Sequence, residues 1–200
     1  MVEKLSIGIV GIQGAISEHI SILKKAFLES DISGNVFVIK NPDDIKKIDA
    51  LILPGGESTT ISKILYKKGL HQVISKNIAE NNFPVMGTCA GCVLLSSGIS
   101  DKVNDDIKIL NAIDIQVERN AFGRQKASFE KNISIKGFNK PYNAVFIRAP
   151  VIKKAWGNVE ILGKINNKIV MVRQDKILAL SFHPELTNDI RIHKFFIDMV

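Results

Sequence analysis

The sequence predicts an α/β fold built on a mainly parallel central sheet with helices on both faces. Three features carry that expectation. Short, almost wholly apolar runs recur through the first half, as Leu5-Ser6-Ile7-Gly8-Ile9-Val10, Asn35-Val36-Phe37-Val38-Ile39 and Ala50-Leu51-Ile52-Leu53. Strands with so little polar alternation are covered on both sides, as strands of a parallel sheet are. The segments between them space their apolar residues at helical intervals. Glycine- and proline-rich breaks close the runs at the strand ends, where open α/β sheets gather ligands.

The elements follow in order. After the first strand, the Gly11-Ile12-Gln13-Gly14 turn leads into a helix whose Ile16, Ile20, Leu23 and Phe27 form one apolar stripe. The second and third strands come next. Pro54-Gly55-Gly56-Glu57-Ser58 then breaks the chain, and Ser58 or Thr59 is suited to cap a helix running through Ile61, Ile64 and Leu65. Gly69 ends it, and a further helix spans Leu70 to about Asn81. Pro84-Val85-Met86 opens a fourth strand, followed by a helix from Ala90 to about Ser97. Beyond Gly98 the pattern changes to successive strands at 113–117, 142–148, 159–162, 169–172 and 177–180. Asn166-Asn167 reads as a hairpin turn between two of them. A terminal helix from about Asp189 sets Ile192, Phe195, Phe196 and Met199 on one side. His19, His71 and His193 fall on helical patterns and are expected at the surface or its boundary.

Bulk properties narrow the function. At 200 residues and 46% hydrophobic, the chain is expected to form one domain over residues 1–200. No stretch approaches the roughly 18 uninterrupted apolar residues of a membrane span. Met1-Val2-Glu3-Lys4 does not begin a secretory signal, so a cytoplasmic protein without membrane association is expected. The only cysteines are Cys89 and Cys92, and no second ligand pair accompanies them to form a zinc site. The net charge of +7 is spread over Lys24-Lys25, Lys46-Lys47, Lys67-Lys68 and Lys153-Lys154, on separate elements. With aromatics at 6%, no stacking platform for single strands is suggested, and no nucleic-acid partner is expected.

Chemistry concentrates in two distant segments. Gly87-Thr88-Cys89-Ala90-Gly91 follows an apolar strand and reads as a nucleophile elbow, the thiol counterpart of Gly-x-Ser-x-Gly. His183-Pro184-Glu185 follows the strand at 177–180. Residues two apart in an extended segment project to the same side, as a base and its orienting carboxylate require. Together Cys89, His183 and Glu185 spell a Cys-His-Glu triad. The amino end of the helix after Cys89 favours thiolate by roughly 0.3–1 kcal/mol, and a protonated His183 supplies the larger share. Thiolate attack on a carboxamide creates an oxyanion, for which the Ala90 N–H and the Gly55-Gly56 peptide are the natural donors. Four loops, 54–58, 87–91, 148–150 and 183–185, are expected to converge on one rim of the sheet. Cys92 lies one turn into the helix and reads as a small core residue.

These segments resemble the class I, triad-type glutamine amidotransferases, whose glutaminase domain is a flavodoxin-like three-layer α/β sandwich. More narrowly, the chain is similar to the glutaminase subunits of the ribose 5-phosphate-dependent pyridoxal 5′-phosphate synthase. The resemblance runs through Gly11-Ile12-Gln13-Gly14, Leu53 to Thr60, the elbow, Glu118-Arg119-Asn120-Ala121-Phe122-Gly123-Arg124-Gln125, Phe146-Ile147-Arg148-Ala149-Pro150 and Ser181 to Thr187. It implies hydrolysis of L-glutamine to glutamate without a cofactor or metal. The ammonia would be channelled to a barrel-shaped, oligomeric synthase subunit that builds pyridoxal 5′-phosphate, in vitamin B6 biosynthesis. Cys89, His183 and Glu185 would be catalytic, Gly56 and Ala90 would form the oxyanion hole, and Gly55, Gly56, Glu57, Arg119, Ile147 and Arg148 would bind glutamine. Arg124 is an alternative partner for the substrate carboxylate. The resemblance further implies that the isolated glutaminase is poorly active until the synthase docks, with Gln13 near that contact. A glutaminase serving another ammonia acceptor, or a cysteine hydrolase on a related sandwich, remains the competing reading.

Overall fold

The computed structural model describes residues 4–101, 107–119, 121 and 128–200. Its first half alternates strand and helix: β1 (Leu5–Val10), α1 (Ile16–Glu29), β2 (Gly34–Ile39), β3 (Ala50–Leu53), α2 (Ser58–Lys67), α3 (Leu70–Asn81), β4 (Val85–Thr88) and α4 (Ala90–Leu95). The second half is rich in strands: β5 (Ser96–Ile99), β6 (Ile113–Glu118), β7 (Ser128–Ile133), β8 (Tyr142–Ile147), β9 (Val151–Ala155), β10 (Glu160–Ile165), β11 (Lys168–Gln174) and β12 (Ile177–Leu180). A 3₁₀ turn at Pro184–Leu186 and α5 (Arg191–Ile197) follow.

Ten of these strands form one sheet in the order β2-β1-β3-β4-β12-β11-β9-β6-β5, with β10 branching from β11. The first five run parallel, the order of a flavodoxin-like sheet. From β12 the sheet turns antiparallel through β11 and β9 to β6. Strands β7 and β8 make a separate two-stranded ribbon.

The apolar runs form strands because both of their faces are buried. Ala50 and Ile52 of β3, with Leu178 and Leu180 of β12, face the core beneath α1 and α5. Leu51 and Leu53, with Ile177 and Ala179, face the opposite core, against Ile61 and Leu65 of α2 and Val93 and Leu94 of α4. Burying one such large aliphatic side chain is worth about 1.5–3 kcal/mol relative to leaving it exposed. These opposed cores hold the three layers together.

Several boundaries differ from the expectation. The N-cap of α2 is Glu57, whose carboxylate accepts from the Thr60 N–H at 2.7 Å, rather than Ser58 or Thr59. Helix α4 stops at Leu95, not near Ser97, because Ser96 turns extended (ψ 161) and begins β5 beside β6. Strand β8 ends one residue early, since Arg148 takes a positive φ of 45°. Strands β5, β7 and β9 are additional to those read from the sequence, and α5 begins at Arg191. Asn166 and Asn167 both have positive φ and close the β10–β11 hairpin, as a type I′ turn requires.

Candidate active site

The parallel pairing of β4 with β12 brings the two sequence-distant segments side by side. Leu180 is in register with Thr88, and the Cys89 N–H donates to the Leu180 carbonyl at 2.8 Å. Beyond that bond both chains leave the sheet at the same rim. Cys89 turns sharply, with φ 50° and ψ −104°, a conformation that L-residues rarely hold. The turn needs the flanking glycine: a Cβ on Gly91 would collide with the Leu53 carbonyl of β3. Close packing of α4 on the sheet thus sets the elbow.

His183 is fixed by its own backbone, whose N–H donates to the Val145 carbonyl of β8 at 2.8 Å. Its Nδ1 lies 2.7 Å from Glu185 Oε1, and both side chains are buried. The ring stacks into the narrow space beside Gly55, where an added Cβ would fall 2.5 Å from His183 Cε1 and 3.3 Å from Cys89 Cβ. A residue larger than glycine at position 55 would push ring and sulfur apart. Cys89 Sγ lies 3.8 Å from the Ile147 carbonyl oxygen.

Burial by itself lowers the pKa of His183, but hydrogen bonds to Cys89 and Glu185, together with their charges, overturn that effect and raise it to about 10. The imidazolium is therefore the resting form at neutral pH. Cys92 is fully buried, and desolvation pushes its thiol far up, so it stays an inert core thiol as expected.

A cavity of about 440 Å³ opens over this rim. All four expected loops contribute to its wall: Gly55, Gly56, Glu57 and Ser58; Cys89 and Ala90; Arg148 and Pro150; and His183. Arg119 and Ile147 also line it. The Arg119 Nε donates to Asp101 Oδ2 at 2.7 Å, whereas Arg148 is exposed at the mouth. Glu57 is half committed to capping α2, and hydrogen bonds from Thr60 and Thr59 outweigh burial in drawing its pKa below the usual carboxylate value. Gln13 lines the cavity and is also exposed, its Oε1 accepting from the Glu57 N–H at 3.0 Å. Arg124 lies outside the described residues.

One expectation is corrected. His71 is half-buried, but His19 and His193 are fully buried, because α1 and α5 pack on the same face of the sheet and turn their imidazoles toward each other. The signal was present: His19 stands three residues after Ile16 and four before Leu23, inside the apolar stripe.

Comparison with known proteins agrees with this architecture. Residues 9–200 match the SNO glutamine amidotransferase family. The chain is 44% identical to the pyridoxal 5′-phosphate synthase subunit PdxT of Staphylothermus marinus, over 98% of each chain. It is 45% identical to the subunit of the same name from Fervidobacterium nodosum, over 97% of this chain and 96% of that one. A crystal structure described as a glutamine amidotransferase superposes with a TM-score of 0.85 at 37% identity, covering 96% of this chain and 97% of the other. Sequence, fold and relatives converge: the chain belongs to the SNO glutamine amidotransferase family.

Proposed function

We propose that this chain hydrolyses L-glutamine to L-glutamate and ammonia, and delivers the ammonia to a synthase subunit that makes pyridoxal 5′-phosphate. The observation that carries the reading is the buried His183–Glu185 pair at 2.7 Å beside the strained Cys89 turn, inside a cavity walled by the four loops. The near full-length likeness to PdxT subunits supports the partner.

The chemistry follows from the geometry. His183 holds the Cys89 proton as imidazolium, so a thiolate attacks the glutamine carboxamide carbon. The C–S bond forms and the carbonyl π pair moves onto oxygen. The Ala90 N–H and the Gly56 N–H stabilise that oxyanion, each such donor being worth about 2.7–4 kcal/mol in the transition state. As the intermediate collapses, the C–N bond breaks and the nitrogen takes the proton from His183, leaving as ammonia. The now neutral imidazole removes a proton from water, whose oxygen displaces the thioester sulfur. Glutamate leaves, and the proton returns to the Cys89–His183 pair. Glu185 keeps the Nδ1 proton of His183 in place throughout, so that Nε2 is the nitrogen that exchanges protons with sulfur, amine and water.

Substrate binding follows from charge. The α-carboxylate calls for a guanidinium, and we assign that contact to Arg148, since Asp101 already engages the Arg119 Nε. Glu57 faces the α-ammonium, and the Gly55-Gly56 backbone lies along the side chain.

Ammonia release measured with and without the synthase subunit tests the whole reading. The pair releases ammonia from glutamine, the chain alone releases much less, and Cys89→Ala abolishes release in both. Activity surviving in Cys89→Ala would overturn the nucleophile. Glu185→Gln removes one of the causes that raise the His183 pKa. The imidazolium is then lost at lower pH, so the alkaline limb of kcat moves downward from the region of about 10 while kcat falls about 10²–10⁴-fold. A limb that stays in place would contradict the role of Glu185. Arg148→Ala raises KM about 10–100-fold with little change in kcat, the loss of one charge-assisted contact. The same effect from Arg119→Ala, with Arg148→Ala silent, would move the assignment.

A further inference from the structure

Behind Glu185 stands a pair of histidines that the proposed mechanism does not use. His19 of α1 and His193 of α5 are both fully buried, with His19 Nδ1 3.3 Å from His193 Nε2 and the rings edge to face. The other nitrogen of His19, Nε2, lies 3.5 Å from Glu185 Oε2 and 3.5 Å from Thr88 Oγ1. Glu185 Oε1 takes the His183 bond, while Oε2 is buried and makes no hydrogen bond of good geometry among the described residues. An unpaired carboxylate oxygen in the core is costly, so a donor directed at it is strongly favoured.

The hydrogen-bond inventory decides which nitrogen of His19 carries the proton. Burial, followed by the charges of His193 and His183, depresses the His19 pKa well below the ordinary value, and burial lowers that of His193 to about 3. Both rings are therefore neutral, each with one N–H. A proton on His19 Nδ1 would donate to His193 Nε2, forcing the His193 proton onto Nδ1, a buried atom with no partner. It would also turn a His19 lone pair toward the carboxylate. A proton on His19 Nε2 avoids both faults. His193 then donates from Nε2 to His19 Nδ1, and only a bare ring nitrogen is left unpaired, which costs less than an orphaned N–H.

We infer that His19 is a positioning residue for glutamine hydrolysis: as the Nε2–H tautomer set by His193, it holds the second oxygen of Glu185 while His183 holds the first. The inference rests on the triad reading above. With both oxygens engaged the carboxylate cannot rotate, so Oε1 stays in line with His183 Nδ1. Because His19 is uncharged, His183 remains the one cation facing Glu185 among the ionisable groups of this cluster, His19, His183, Glu185 and His193. A protonated His19 would compete for the same charge.

The test uses His19→Leu, His19→Gln and His19→Asn in complex with the synthase subunit, with Cys89→Ala and Glu185→Gln alongside. Leucine keeps the packing and removes the donor. Glutamine places an amide N–H near the position of Nε2, whereas asparagine reaches only the position of Nδ1. His19→Leu lowers the thermal midpoint, since it orphans the His193 N–H and the second oxygen of Glu185. The folded variant keeps the KM for glutamine while kcat falls about 10–100-fold, the usual loss when an orienting partner is removed. Its alkaline limb shifts the same way as in Glu185→Gln. His19→Gln restores most of kcat. Full activity in a folded His19→Leu would overturn the inference. Should His19→Leu fail to fold, the comparison of His19→Gln with His19→Asn decides: glutamine the more active supports it, and equal rates refute it. If Cys89→Ala and Glu185→Gln keep their activity, the triad reading itself has failed. If those two collapse while His19→Leu does not, only the positioning role has failed.

Discussion

A single backbone hydrogen bond, from the Cys89 N–H to the Leu180 carbonyl, joins the two halves of the site. It ends the parallel ladder between β4 and β12, in which Val85 through Thr88 face Ile177 through Leu180. Everything at the rim follows from that register. Side chains alternate along a strand, so a slip of one residue would send the apolar set of β12 to the wrong faces and carry His183 away from the sulfur. Both faces of these strands are fully buried, which makes the slip expensive. The long strand-rich segment between α4 and β12 is tolerated because closing a longer loop adds little entropy.

The second constraint is electrical. Glu185 is buried, and a buried carboxylate is stable only when its charge is paired and its oxygens are hydrogen-bonded. His183 meets the first need by staying protonated, since its bonds to Cys89 and Glu185 outweigh desolvation. The histidines of α1 and α5 stay neutral in the same core, since desolvation, and for His19 the neighbouring imidazoles as well, disfavours their charged forms. Two imidazoles on opposite sides of one carboxylate thus differ in charge, His183 a cation and His19 neutral. The cavity then presents the Cys89 sulfur and the His183 imidazolium on one wall and the exposed Arg148 at its mouth, an arrangement suited to a small zwitterion bearing a carboxamide.

Much of this was legible in the residues. Strands β1, β3 and β12 and helix α3 lie where their apolar runs and flanking glycines put them, because buried parallel strands and amphipathic helices leave distinct periods. The elbow was legible because only small residues fit against the Leu53 carbonyl and Cys89 alone stands between two glycines. Strand β5, Ser-Ser-Gly-Ile, was not: its composition resists extended structure, and pairing with β6 imposes it. Strands β7 and β9 carry exposed polar residues and look like loop when read alone. The burial of His19 and His193 depends on α1 meeting α5, a contact between the two ends of the chain that no local period records.

The account stands or falls on whether sulfur becomes covalently bound to the substrate. Rapid acid quench of the glutamine-hydrolysing complex, followed by mass analysis of the peptide bearing Cys89, measures that directly. The account predicts a glutamyl adduct on Cys89 that forms and decays with turnover and is absent when His183 is replaced by alanine. Steady ammonia release at substrate saturation with an adduct on another residue would contradict it.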